Sequence, residues 1–302
     1  MTASQRGSGN YLPLDTRMQL YAPVRELAGL GLSYRQIQDA VLKAHQVRLS
    51  KSTISVRVNG LHEPTGRLNS FRPNPTPELA YVIGVILGDG NLNIHGYNAE
   101  LILAVADHDF AEEFSRCLAK ILRRRRPYKI RWSERKDRWV VQGSSILLYK
   151  FLNCDWKSLK KWVEHCDRCR GAFLRAFYDS EGCISDSLVI YNTGKELLSY
   201  VKKLLEHLDI ETGPLHTRIA AGTTLRDPRN GRSYIRKKDC FSFAVRKRSL
   251  PMFAEYVGFT IERKSERLRD AALRVKQQQN PRSSSFSNSQ HQLGLRCGTG
   301  GI

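Results

Sequence analysis

The 302-residue chain lacks any apolar run near the roughly 18 to 20 residues that a membrane-spanning helix requires. Nor does an apolar segment follow its N-terminus as it would in a secretory leader. A cytosolic, nucleoid-associated location in a prokaryote or archaeon is therefore expected. Cysteine is scarce too. Seven residues, an odd number without a regular framework, suit free thiols in a reducing compartment better than disulfides. Acidic residues are in deficit, with 29 Asp and Glu against 49 Lys and Arg, a formal net charge of +20. That imbalance points to a polyanionic partner, and the missing apolar anchor favours nucleic acid over a membrane surface. What remains is 41% hydrophobic, enough for a packed core in one large domain or two.

The chain divides by composition. Residues 12–66 read as a small helical unit, in which Ile37, Val41 and Leu42 recur at helical spacing. A short turn leads to a second helix opened by Ser50 or Ser52 as N-cap and closed by Gly60. Two short helices about a tight turn, the second presenting Ser52, Thr53, Ser55 and Arg57, are the pattern of a helix-turn-helix. Residues 67–75 contain Phe71-Arg-Pro-Asn-Pro, whose prolines favour an extended linker. From about residue 277 to 302 the chain turns Gln/Ser/Asn-rich and then Gly-rich, and is expected to be disordered. One further cluster, His165, Cys166 and Cys169 with Cys154 upstream, places two thiols at C-x-x-C spacing. A second corner for zinc at a recognisable spacing is missing, so incidental thiols are the expected reading.

Between linker and tail, two segments match at an offset of 92 positions: Ala80-Tyr-Val-Ile-Gly-Val-Ile-Leu-Gly-Asp-Gly90 and Ala172-Phe-Leu-Arg-Ala-Phe-Tyr-Asp-Ser-Glu-Gly182. Ala80, Gly84 and Gly88 then face Ala172, Ala176 and Ser180, while Asp89 faces Glu181. Small residues at i, i+4 and i+8 form one stripe of a helix, and two such stripes let helix backbones approach closely. Thr76 and Pro77 supply an N-cap and N1 proline, and Gly90 and Gly182 should terminate the pair. Each helix would deliver a carboxylate to its C-terminal end, where the helix dipole opposes it by roughly 0.3 to 1 kcal/mol. The two acids would also repel one another, and a divalent cation between them resolves both costs.

With those residues in place, the chain resembles the LAGLIDADG homing endonucleases in their monomeric two-repeat, archaeal intron-encoded form, here with a helix-turn-helix-like extension. The nine-residue motif falls on Val82 to Gly90 and Leu174 to Gly182, departing from it at Leu87 and Arg175. The resemblance covers Thr76 to Lys276 and implies an α+β fold: two αββαββα repeats, 76–166 and 167–276, whose sheets form a DNA-binding saddle. It implies a double-strand DNA endonuclease using Mg²⁺, with Mn²⁺ able to substitute, acting as a monomer on a long asymmetric duplex site. Asp89 and Glu181 would be the metal ligands, joined by the carbonyls of Gly88 and Ser180. Asn192 matches a position that orients the attacking water, while its first-half counterpart falls on Val105 or Ala106. Lys264 is the candidate for the family's lysine near the catalytic centre.

Basic residues supply the expected DNA face. A strand through Lys129 and Arg131 would put both on one side, with Arg135, Lys136 and Arg138 following. In the second half, Arg218, Arg232, Arg236 and Lys237 surround an Asn230-Gly231 hairpin signal. Thr53, Ser55 and Arg57 would add contacts from the N-terminal unit. The competing reading is a non-cutting DNA- or RNA-binding protein of the same fold, a transcription regulator or an intron maturase; loss of the acids would favour it, and both are present.

Overall fold

The computed structural model describes residues 12, 14–61, 71–95, 98–227 and 231–279. Residues 62–66 of the expected helical unit, 67–70 of the linker and most of the 277–302 tail lie outside them. The N-terminal unit has four helices: α1 (Leu14–Gln19), α2 (Tyr21–Gly29), α3 (Tyr34–His45) and α4 (Lys51–Val58). Their small core is Leu20, Val24, Ile37, Val41, Leu49 and Ile54. Ser33 and Gln36 form a reciprocal capping box at the start of α3. Gln46 ends that helix in the left-handed region at φ 55°, so the chain reverses into α4 within five residues. Ser50, not Ser52, caps α4, and Gly60 follows it at φ 64°, as its C′ position requires.

Two expectations for this unit fail. Leu42 is exposed, because Ile37 and Val41 already fill the face of α3 that meets α2 and α4. Arg57 is buried, and its Nη1 donates to the carbonyl of Leu20 at 3.1 Å. Its charge ties α4 to the α1–α2 junction and does not point to a nucleic acid.

The first half of the main body runs α5 (Pro77–Leu87), β1 (Asn91–His95), β2 (Asn98–Val105), α6 (His108–Ile121), β3 (Ile130–Ser133), β4 (Arg138–Ser144), α7 (Ile146–Leu152) and the short α8 (Lys160–Val163). The second runs α9 (Asp167–Glu181), β5 (Gly182–Ile184), β6 (Leu188–Asn192), α10 (Lys195–Glu206), β7 (His216–Ile219), the ribbon β8 (Thr224–Arg226) and β9 (Ser233–Ile235), then β10 (Cys240–Ala244), α11 (Leu250–Tyr256) and α12 (Glu262–Gln279). The repeat is thus αββαββα twice, with the β8–β9 ribbon inserted in the second copy.

Both sheets are antiparallel and have the same order, β1-β2-β4-β3 and β5-β6-β10-β7. Leu101, Leu103 and Val141 of the first sheet and Ile190 and Phe243 of the second face the shared core beneath α5 and α9. Alternation leaves the other face of each sheet open. There the first sheet carries Asn91, Asn93, Arg131, Arg138 and Gln142, and the second carries Tyr191, His216 and Ser242. α12 continues three residues beyond Lys276, into the segment expected to be disordered.

Candidate metal centre and nucleic-acid interface

α5 and α9 lie against each other along the stripe of small residues. A Cβ on Gly84 would come within 2.6 Å of the Phe173 carbonyl oxygen and 2.9 Å of the Ala176 Cβ; one on Gly88 would come within 2.5 Å of the Ser180 Cβ. Backbone carbonyls and Cβ atoms cannot move aside as a flexible side chain can. The glycines therefore set how closely the two C-terminal ends meet.

Neither terminal glycine acts as a left-handed cap. α5 ends two residues early, at Leu87 with Gly88 as C-cap at φ −100°, and Gly182 follows α9 with φ −86°. Both instead relieve crowding: a Cβ on Gly90 would meet Ile86, and one on Gly182 would lie 2.5 Å from the Tyr178 carbonyl oxygen.

Asp89 stands just past the end of α5, and Glu181 is the last residue of α9. Burial and the charge of Asp89 push the Glu181 carboxyl up to about 7, against its ordinary 4.5. Asp89 keeps solvent access, yet the surrounding protein raises its carboxyl as well. Lys264 lies close enough to lower both. Asn192 donates its Nδ2 to Glu181 Oε1 at 3.1 Å and accepts the Gly194 N–H on Oδ1 at 2.7 Å, which fixes the amide's orientation.

Strand register identifies the first-half counterpart of Asn192. Gly182 pairs with Ile190, two residues before Asn192; one step beyond the Asn91–Ile102 pair, Gly90 faces Leu103, two residues before Val105. Val105 is apolar and buried. Asp89 therefore has no equivalent amide, and the two carboxylates are held unequally.

Lys264, the lysine expected near the centre, lies against the last turn of α9. It is buried, and its Nζ donates to the carbonyls of Tyr178 (3.2 Å), Asp179 (2.6 Å) and Gly182 (2.8 Å), binding the last turn of α9. Desolvation lowers its pKa. The carbonyls of Gly88 and Ser180, the other expected ligands, accept no hydrogen bond among the described residues. Two carboxylates and two carbonyl oxygens would make an all-oxygen donor set, the chemistry that suits a hard divalent cation.

Three acids that sequence reasoning passed over hold the first turn of α12, and with it Lys264. Buried Asp179 accepts N–H bonds from Thr260 (3.0 and 3.1 Å) and Ile261 (3.2 Å), and burial pushes its carboxyl up to about 7. Asp109 accepts the Glu262 N–H at 2.6 Å, and Asp107 forms a two-bond pair with Arg263. The signal for Asp179 was present as a second acid in the motif. Leu87 occupies the same position in the first copy, which hid its meaning.

The expected DNA contacts scatter more widely. Lys129 lies one residue before β3 and is exposed. Arg131 and Arg138 share the open face of the first sheet, where Arg131 Nη2 donates to Gln142 Oε1 at 2.5 Å. Arg135 and Lys136 are exposed in the β3–β4 turn. Arg218 follows His216 on β7, beside a register shift. Arg232 and Lys237 flank β9 and are exposed, while Arg236 is half-buried and donates to the Lys238 carbonyl at 3.0 Å. Thr53 and Ser55 are half-buried, with the Thr53 hydroxyl bonded to Ser50 and the Ser55 hydroxyl accepting from Asn59. In the cysteine cluster, the ligand atoms of His165, Cys166 and Cys169 converge while Cys154 is elsewhere, donating to the Phe151 carbonyl at 3.2 Å.

Paired αββαββα halves meeting through small-residue helices, each ending in an acid, define a LAGLIDADG-like architecture, and the family model described as a LAGLIDADG-like domain matches residues 168–241. The chain belongs to the same family as the uncharacterized protein MJ0398 of Methanocaldococcus jannaschii, to which it is 32% identical over 255 residues, 83% of this chain and 92% of that one. A second protein of that organism, MJ0314, is 30% identical over 184 residues, 57% of this chain and 66% of that one. Among solved structures, the homing endonuclease I-DmoI in complex with DNA and Ca matches with a TM-score of 0.47 and 19% identity, over 66% of this chain and 100% of that one. Full-length DUF199/WhiA from Thermatoga maritima matches with a TM-score of 0.42 and 15% identity, over 67% and 62%.

Proposed function

We propose that this protein is a site-specific double-strand DNA endonuclease of the homing type, dependent on Mg²⁺ or Mn²⁺ and acting as a monomer on a long asymmetric duplex site. The observation that carries this reading is the meeting of Asp89 and Glu181 at the ends of two helices packed on glycine. Protein stability alone disfavours that placement, because burial and mutual repulsion hold Glu181 protonated up to about 7. A divalent ion bound there neutralises charge at the scissile phosphate and acidifies water. The chain's own residues divide the remaining work. Asp89, Glu181 and the carbonyls of Gly88 and Ser180 hold the ion, Asn192 aims Glu181, and Lys264 fixes the last turn of α9. The open sheet faces take the duplex through Arg131, Arg138 and Arg218, with Lys129, Arg135, Lys136, Arg232, Arg236 and Lys237 at the margins. The N-terminal unit adds affinity through its exposed surface; Arg57 has no part in this.

The test is incubation of the protein with Mg²⁺ and a randomised duplex library, followed by sequencing of new ends. Ends recurring at one sequence, absent with Asp89→Asn or in EDTA, are expected, while DNA binding persists in Ca²⁺ or EDTA. Sequence-selective binding with no new ends in Mg²⁺ or Mn²⁺ would instead identify a non-cutting DNA-binding protein. Cutting at full rate in EDTA would exclude the metal centre.

A further inference from the structure

The N-terminal end of α9, remote along that helix from Glu181, gathers a second set of donor atoms. One ligand atom each from His165, Cys166 and Cys169 lies within 4.8 Å of the others, and the two sulfurs are 3.4 Å apart. Around a tetrahedral zinc ion, two thiolates at about 2.3 Å stand about 3.8 Å apart, and a thiolate and an imidazole about 3.5 Å. The sulfur–sulfur separation of 3.4 Å is already within about 0.4 Å of that spacing.

The surroundings favour a metal over a chance meeting of thiols. Cys166 is the N-cap of α9, so a thiolate there faces the positive end of the helix dipole. Cys169 is fully buried and closes the inner side. His165 is exposed and Cys166 half-buried, which leaves the outer side open. Sulfur and imidazole donors select zinc, whereas the oxygen donors at the other end of α9 select magnesium. Cys154 is committed to the Phe151 carbonyl and Ser158, so it does not complete the set.

We propose that His165, Cys166 and Cys169 bind one zinc ion, with water as the fourth ligand, and that the ion pins the turn joining α8 to α9. The sequence cluster lacked a second corner and pointed to incidental thiols; the structure brings His165, Cys166 and Cys169 into range of one another and leaves Cys154 out.

Cobalt and zinc uptake by the full-length protein, kept reduced, tests this directly. One cobalt per chain is expected, with a thiolate-to-metal charge-transfer band and tetrahedral d–d absorption. Zinc should displace it mole for mole, and excess Mg²⁺ should not. Cys166→Ser and His165→Ala, both on accessible side chains, should each weaken zinc affinity at least about tenfold. Asp89→Asn should leave it unchanged, separating this site from the carboxylate pair. A folded, reduced protein that takes up no stoichiometric metal, or a charge-transfer band undiminished in Cys166→Ser, overturns the proposal. If the protein isolates with a Cys166–Cys169 disulfide, reduction must restore metal uptake; failure to do so overturns it equally.

Discussion

Glu181, in the function proposed above, is a side chain that opposes stability in order to serve chemistry. Its carboxyl titrates near 7 in the folded chain and near 4.5 when unfolded, so between those values the native state binds the extra proton. Stability from this group is full below about 4.5 and is lost as pH rises towards 7. In EDTA the melting temperature should therefore fall across that window. Glu181→Gln should flatten the fall while cutting cleavage in Mg²⁺ by at least about 100-fold, more than the loss of a supporting contact costs. A variant that melts much earlier than the parent in EDTA would show instead that Glu181 is a structural acceptor. Asn192 belongs to the same scale. Asn192→Ala removes the amide that aims Glu181 but leaves the carboxylate, so cleavage should fall about 10- to 100-fold and recover partly at high metal concentration. Val105 offers no such contact to Asp89, so accumulation of nicked intermediates is expected from the unmodified protein. Asp89 and Glu181 were legible in the sequence because a repeat places them in register. The inequality between them was not, since it depends on strand pairing.

Helices carry the next argument. α5 and α9 can meet only while Gly84 has no Cβ, because the obstructing atoms are the Phe173 carbonyl and the Ala176 Cβ. Gly84→Ala should cost about 1 to 3 kcal/mol in chemical denaturation and reduce cleavage as the acids separate. An unchanged denaturation midpoint would mean that the stripe does not set the helix spacing. Lys264 makes the complementary case for α12. Its ammonium group donates to three carbonyls around the α9 terminus, and Lys264→Met removes all three bonds, leaving the Tyr178 carbonyl only the Gly182 N–H. Stability should drop by on the order of 3 kcal/mol together with activity; loss of activity at an unchanged melting temperature would mark a lysine acting on the reaction alone. The helical stripe could be read ahead of the structure because period and residue size are local properties. Lys264 was noticed by analogy, but its acceptors lie 82 to 86 positions away and are backbone atoms, which carry no sequence signal. Arg57 misled for a related reason: the Leu20 carbonyl that binds it is 37 positions distant.

At the scale of the whole molecule, two separate hydrophobic cores divide the chain, one among α1–α4 and one beneath α5 and α9. The larger core should persist without the smaller. A protein beginning at Phe71, which belongs to the larger core, is expected to cut still, but to bind DNA more weakly and with a shallower dependence on salt, because it would release fewer counterions. An unchanged salt slope would show that the N-terminal unit binds something other than DNA. The first turn of α12 also bears on how such a protein is made. It is held by Asp107 and Asp109 from the first half and by Asp179 from the second, the last contact spanning 81 positions. During synthesis both motif acids leave the ribosome well before the segment that brings Lys264 beneath α9. A nascent chain still lacking that segment carries every proposed metal ligand but not the support that orders them, so the activity proposed above would stay sheathed until translation is nearly done.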